Sequence, residues 1–192
     1  MVDITVFTPL YNRASLLHDV YESLLKQNYH SFEWVIVDDG STDNAERIVK
    51  TFIGDAIHTF PISYIRKENG GKHTAINRGV EEAKGELFLI LDSDDTLPVD
   101  SLATIAQYYE QCKDYKDCAG VCGLMAHHDG QLIGTGFPKD HMYESALQFR
   151  YAKKGNVTGD LLEVYKTSVM REFPFPEIEN EKFCPESLVW NR

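Results

Sequence analysis

The densest chemistry in this chain is the stretch "LFLILDSDDTLP", where Asp92, Asp94 and Asp95 follow the apolar run Leu87 to Leu91 and put three carboxylates within four residues. Like charges at the rim of a core repel, so a fold that keeps them has a cation or a set of donors facing them. A helix cap ahead of Pro98 would use one carboxylate and leave two unexplained. An EF-hand calcium loop is excluded, because its sixth and twelfth positions require glycine and glutamate and are here Leu97 and Ala103.

Two other clusters carry reactive side chains. In "VIVDDGSTD", Asp38 and Asp39 end another apolar run, and the small polar residues after them suit either a turn that caps the next helix or a set of ligand contacts. In "ENGGKHTAINRG", Gly70 and Gly71 precede Lys72 and His73, which fits a tight turn or a phosphate-facing loop. The chain has no Gly-x-x-x-x-Gly-Lys-Ser/Thr, and no Gly-x-Gly-x-x-Gly follows the first apolar run, which argues against a nicotinamide dehydrogenase. Cys112, Cys118, Cys122 and Cys184 form no Cys-x-x-Cys pair and read as reduced small side chains. His127 and His128 flank the turn signal Asp129-Gly130 and read as turn residues rather than zinc ligands.

The elements that must position these groups alternate along the chain. "ITVFTP" reads as a first strand, after which Leu16, Leu17, Val20, Tyr21, Leu24 and Leu25 recur at helical spacing. "FEWVIVDDG" reads as a second strand. Asp43 with Glu46 reads as a capping box for a helix whose buried stripe is Ala45, Ile48, Val49 and Phe52. "ISYIRK" is a third strand, followed by the glycine-rich loop, a helix toward Lys84 and the strand that ends in the aspartates. A helix is expected from about Pro98 to Tyr109, with Leu102, Ile105, Ala106 and Tyr109 facing inward.

Strands separated by helices predict parallel pairing with right-handed crossovers, which brings the carboxyl ends of the strands to one edge. That edge collects Thr8, Pro9, Tyr11 and Asn12, then Asp38 and Asp39, then Arg66 to Lys72 with Asn69 and Gly70 among them, then Asp92, Ser93, Asp94 and Asp95. Ligands of open α/β sheets bind outside those ends, so the constellation is a pocket by topology. Beyond residue 118, "CAGVCGLMAHHDGQLIGTGF" predicts a hairpin. Residues 138 to 160 read as loops over the pocket, and "LLEVYKTSVMREF" returns to strand and helix.

A chain of 192 residues with 43% hydrophobic residues suits a single domain, 1–192. Its 19 basic and 30 acidic residues give a net charge of -11, the wrong sign for binding a nucleic-acid backbone. No apolar run approaches the roughly 18 to 20 residues of a membrane span, and the amino terminus enters a strand pattern without the regions of a signal peptide, so a cytoplasmic location is expected.

"TPLYNR", "VIVDDGSTD", "NGGKHTAINRG" and "GELFLILDSDD", in this order and spacing, resemble glycosyltransferase family 2, the nucleotide-sugar-dependent inverting enzymes of the GT-A fold. The motifs lie within residues 3 to 100. One position departs: residue 76 is isoleucine where the family often has arginine. The resemblance implies an α/β fold with a mostly parallel, Rossmann-like sheet flanked by helices and an additional hairpin after the Asp-x-Asp strand. Residues 1–110 would bind the nucleotide sugar and 111–192 would form the acceptor side.

It implies that Asp39 reads the uracil of a UDP-sugar and that Thr8, Pro9, Tyr11, Asn12, Asp38, Asn69, Gly70 and Lys72 line the nucleotide pocket. Asp92 and Ser93 would hold the ribose, and Asp94 with Asp92 a Mn2+ or Mg2+ ion. The departing diphosphate gains negative charge that such an ion offsets, with Lys72 as a second cation. The base that takes the acceptor proton would be Glu186, with Trp190 on the same helix face, or Glu181. The acceptor would be a glycan or lipid-linked hydroxyl in cell-envelope polysaccharide synthesis, with peripheral membrane association and no membrane span. Two other classes stay open. A nucleotidyltransferase should show a glycine-rich loop with Arg and Lys after the first strand, which "TPLYNRASLL" lacks; the other is a nucleotide-sugar-binding module without turnover.

Overall fold

Every residue of the first strand, β1 (Ile4–Leu10), is buried, as a strand covered on both faces must be. The computed structural model describes residues 2–55, 57–137, 143–145 and 157–190. β2 (Phe32–Asp38) and β4 (Leu87–Ile90) flank β1 and run parallel to it, and β3 (Ile62–Arg66) runs parallel beyond β2. On the other side, β6 (Leu161–Lys166) lies antiparallel to β4, and β5 (Gly120–Leu124) antiparallel to β6, giving the order β3-β2-β1-β4-β6-β5. The helices are α1 (Leu17–Leu25), α2 (Ala45–Gly54), α3 (Lys72–Glu82), α4 (Ser101–Cys112), α5 (Thr167–Glu172) and α6 (Ser187–Trp190). The mixed, mostly parallel α/β architecture is the expected one.

Strand alternation divides the core in two. Ile4, Val6, Trp34, Ile36, Leu87 and Leu89 pack with Leu17, Val20, Val49, Phe52, Leu102 and Ile105 of α1, α2 and α4. Phe7, Val35, Val37 and Phe88 pack on the other face with Ala75, Ile76 and Val80 of α3, Met170 of α5 and Val189 of α6. Ile76 has no exposed surface and serves this second core. Gly79 lets α3 lie close on the sheet, because a Cβ there would meet the Phe7 ring at 2.3 Å.

Three local expectations change. The Asp129-Gly130 turn forms, with the Gly130 amide donating to the His127 carbonyl and a bridge between Ala126 and Leu132, but the strand that pairs with β5 is β6. Leu161–Lys166 offers a full ladder between β4 and β5 that the few residues after the turn do not. The helix expected from Pro98 starts at Ser101, whose amide donates to the Pro98 carbonyl. The capping box at Asp43 is not made: its carboxylate accepts from the amides of Ala45 and Ala14, while Glu46 pairs with Lys50. The expected loops at 138–160 lie largely outside the described residues.

Candidate active site

At the carboxyl end of β1 the chain must leave the sheet at once, and Asn12 does so with φ 52, a conformation asparagine adopts more readily than most residues. Its amide donates to Ser41 Oγ at 2.9 Å, and its Oδ1 accepts from the Thr42 amide at 2.8 Å. The loops after β1 and β2 are thereby fastened together. Thr8 and Pro9 are buried, and the Thr8 hydroxyl faces the core, where it accepts the Trp34 indole N–H at 2.9 Å. Of Thr8, Pro9, Tyr11 and Asn12, all expected to line the pocket, Tyr11 and Asn12, just beyond β1, are the ones exposed at the edge.

The adjacent carboxylates at the carboxyl end of β2, Asp38 and Asp39, are both buried and both satisfied. Asp38 accepts from the Ser41 amide and the Tyr64 hydroxyl. Burial, and then the Asp38 carboxylate, push the Tyr64 phenol above its ordinary range. Asp39, 4% exposed, accepts from Lys67 Nζ at 2.8 Å and the Gly70 amide at 2.9 Å on one oxygen, and from the Gly71 amide at 2.7 Å and Asn69 Nδ2 at 3.1 Å on the other. A carboxylate offers about four acceptor positions, so Asp39 spends its capacity on shaping the loop 67–71. Lys67 fell inside the expected edge segment, but nothing local marked it as the partner of Asp39.

The Asp-x-Asp segment faces cations. Arg13 donates to Asp94 Oδ2 at 2.6 Å, and Lys72 Nζ lies 2.9 Å from Asp92 and 2.7 Å from Glu186 Oε1. Burial alone would lower the Lys72 pKa, but Asp92 and Glu186 outweigh it, and the ammonium titrates above its usual value. Asp95 shows the opposite balance. Its burial, then the charges of Asp92 and Asp94, raise its pKa against the pull of Lys72. Ser93 is buried.

Gln27, which has no obvious sequence signal, fixes the following turn: its amide donates to the carbonyls of Leu97 and Pro98, and its oxygen accepts from the Leu102 amide. A cleft of about 620 Å³ runs between α1 and residues 93–99, with Asp19, Lys26, Asp94 and His128 among its walls.

The C-terminal segment is brought over this edge by two devices. Asn77 of α3 clamps it, donating to the Phe175 carbonyl at 2.9 Å and accepting from the Phe175 amide at 2.9 Å. Gly71, at φ +99, lets the Lys182 carbonyl approach so closely that a Cβ would sit 2.0 Å from it. The two candidate bases then separate. Glu186 reaches Lys72 and hence the Asp-x-Asp, whereas Glu181 is exposed in a turn where its amide donates to the Ile178 carbonyl. Pro185 precedes α6 rather than opening it, and the Trp190 side chain falls outside the described residues. His73, 3% exposed, turns inward beside Gly71, and its Nδ1 has no partner among the described residues.

Asp92 and Asp94 supply hard oxygens on half-exposed side chains, which fits magnesium or manganese held by two carboxylates and completed by phosphate oxygens. Among the described residues no three His, Cys, Asp or Glu side chains gather to hold an ion alone. No helix among the described residues is long and apolar enough to cross a membrane.

Comparison with known proteins bears on the family and the fold. Residues 5–171 match the family model "Glycosyl transferase family 2". The chain is 36% identical over 127 residues to Glycosyltransferase GlyG of Streptococcus pneumoniae serotype 4, covering 66% of this chain and 40% of that protein. It is 29% identical over 197 residues to GalNAc(5)-diNAcBac-PP-undecaprenol beta-1,3-glucosyltransferase of Campylobacter jejuni, covering 99% and 59%. The structure of S. aureus TarS 1-349 in complex with UDP superposes with TM-score 0.68 at 21% identity, over 98% of this chain and 54% of that one. The mannosyltransferase PcManGT of Pyrobaculum calidifontis, in complex with GDP-Man and Mn2+, gives 0.64 at 23%, over 91% and 47%. At such identities the structural likeness shows the fold. With the family model covering most of its length and its motifs gathered at one sheet edge, the chain belongs to glycosyl transferase family 2.

Proposed function

We propose that this domain transfers a sugar, with inversion, from a nucleoside diphosphate donor of the uridine class to a hydroxyl of a glycan or lipid-linked acceptor in cell-envelope polysaccharide synthesis, at the cytoplasmic face of a membrane. The observation that carries this is the row Asp92, Lys72, Glu186, in which a carboxylate of the Asp-x-Asp, suited to an ion, and a carboxylate suited to a base meet at one ammonium. The C. jejuni relative, whose name gives an undecaprenol-linked acceptor, supports the acceptor class.

In this reading Asp94 and Asp92 would hold Mn2+ or Mg2+, which when bound neutralises charge on the departing diphosphate. Glu186 accepts the proton of the attacking hydroxyl, and Lys72 bridges it to Asp92. Tyr11 and Asn12 offer an exposed ring and amide to the nucleoside. Asp39 acts chiefly by shaping Asn69–Gly71, since a uracil N–H would have to replace one of its four donors. Residues 1–110 serve the donor and 111–192 the acceptor side.

The test is release of UDP from labelled UDP-sugars with and without manganese. Metal-stimulated release is expected. Undiminished release after chelation removes the metal role, and exclusive use of GDP- or TDP-sugars removes the uridine assignment.

A further inference from the structure

We propose that Lys72 is a positioning residue for the base: its ammonium holds the Glu186 carboxylate against the Asp-x-Asp, so that the donor side and the acceptor side of the reaction share one cation. The inference rests on Glu186 being the base and goes beyond it by naming what aims that carboxylate. Nζ stands 2.7 Å from Glu186 Oε1 and 2.9 Å from Asp92, and an ammonium has three donors with which to hold both at once.

Neither end of this link is loose. Lys72 opens α3, whose next residues, His73 through Ile76, are buried. Glu186 precedes Val189, which is anchored in the second core, and its segment is pinned by Asn77 at Phe175 and by Gly71 at Lys182. The carboxylate on this anchored segment thus receives its final orientation from a charge on the equally anchored α3. Without Lys72, Glu186 and Asp92 both lose the ammonium that they contact, and their like charges repel.

The experiment compares wild type with Lys72→Met, Lys72→Arg, Glu186→Gln and the double variant Lys72→Met/Glu186→Gln. The substrate is UDP-N-acetylglucosamine with manganese, UDP affinity is measured by calorimetry, and tryptic cleavage after Lys182 is followed by mass spectrometry. Lys72→Met is expected to cleave several-fold faster after Lys182. It should also lose roughly tenfold or more in kcat with KM and UDP affinity nearly kept, the pattern of a group acting in the transition state alone. Lys72→Arg recovers most of the rate, and the double variant is no slower than Glu186→Gln, because two residues acting through one group do not add.

Losses that multiply, or UDP affinity that falls in step with kcat, would place Lys72 on the diphosphate and overturn the proposal. Normal turnover by Glu186→Gln removes the base assignment itself, and with it this inference; an inactive Glu186→Gln with multiplying losses removes only the role of Lys72. If wild type releases no UDP from this donor, cleavage after Lys182 decides alone, and an unchanged rate in Lys72→Met overturns the proposal.

Discussion

Replacing Asp39 by alanine tests whether this carboxylate builds the loop or reads the nucleotide. The change strips acceptors from Lys67 Nζ, the Gly70 and Gly71 amides and one bond of Asn69. Asn69 keeps its bond to the Asp39 carbonyl, and Lys67 keeps the Glu68 carbonyl and Thr74 Oγ1. What is stranded is therefore two main-chain amides, at about 1–3 kcal/mol each when buried, together with the lost attraction of the Lys67 ammonium. Breaking a buried pair costs about 3–5 kcal/mol, and the partial exposure of Lys67 with its two remaining acceptors favours the low end. These contributions overlap, so about 3–5 kcal/mol in total is expected, against a typical stability of about 5–15 kcal/mol.

At about 2–4 °C per kcal/mol for a chain of this size, the melting midpoint should fall by roughly 6–20 °C, read by circular dichroism. Asp39→Asn should fall by less, since one oxygen still accepts while the new amide faces two donors. A shift below about 2 °C combined with a greater than tenfold loss of UDP affinity would show a carboxylate free to meet the nucleobase, and the loop-building account would be wrong.

Two other substitutions probe different parts of the edge. Asp94→Asn removes an exposed pair with Arg13, so stability should change by less than about 1 kcal/mol, while UDP release falls on the order of a hundredfold; equal activity with and without chelator in wild type would argue against this. Gly71→Ala, at a positive φ and against the Lys182 carbonyl, should cost about 1–3 kcal/mol in backbone strain alone and speed tryptic cleavage after Lys182. A variant as stable and as protease-resistant as wild type contradicts that packing.

Cys112 is a pH probe: burial, then Cys118, push its thiol up to about 12, so folding keeps it protonated where the unfolded chain ionises. Stability is whole below the ordinary thiol range and declines as pH rises toward about 12, with a slope of up to about 1.4 kcal/mol per unit that Cys112→Ala should remove. At pH 8 iodoacetamide should reach the exposed Cys122 well before Cys112, and equal labelling of the two would refute it.

What was legible in the chain follows the range of the interactions. The strands were readable because alternation is local and β1, β2 and β4 put apolar residues on both faces. The same parity carried a signal that sequence reasoning overlooked: Thr8 shares a face with Val6 and Leu10, so its side chain belongs to the core. The capping box failed because an amide 29 residues away, on Ala14, recruited Asp43. The hairpin failed in its partner, not its turn, because β6 lies far along the chain and no nearby residue announces it. Asp39 was recognised as important, yet its four donors come from a loop about thirty residues on, and no pattern in "VDDGSTD" states that they fill it.

The choice between Glu181 and Glu186 shows why contact geometry outweighs local pattern at the end of the chain. A carboxylate before a short helix gains only fractions of a kcal/mol from its dipole, and α6 has just four residues, so the place of Glu186 ahead of that helix does little by itself. What separates the two glutamates is Lys72, more than a hundred residues earlier, which reaches one of them. That reach depends on Gly71 admitting the Lys182 carbonyl and on Asn77 fixing Phe175. Gly71, Lys72 and Asn77 of "NGGKHTAIN" therefore all meet the C-terminal segment, and in the proposed reading that is how one motif next to the donor aims a carboxylate at the acceptor.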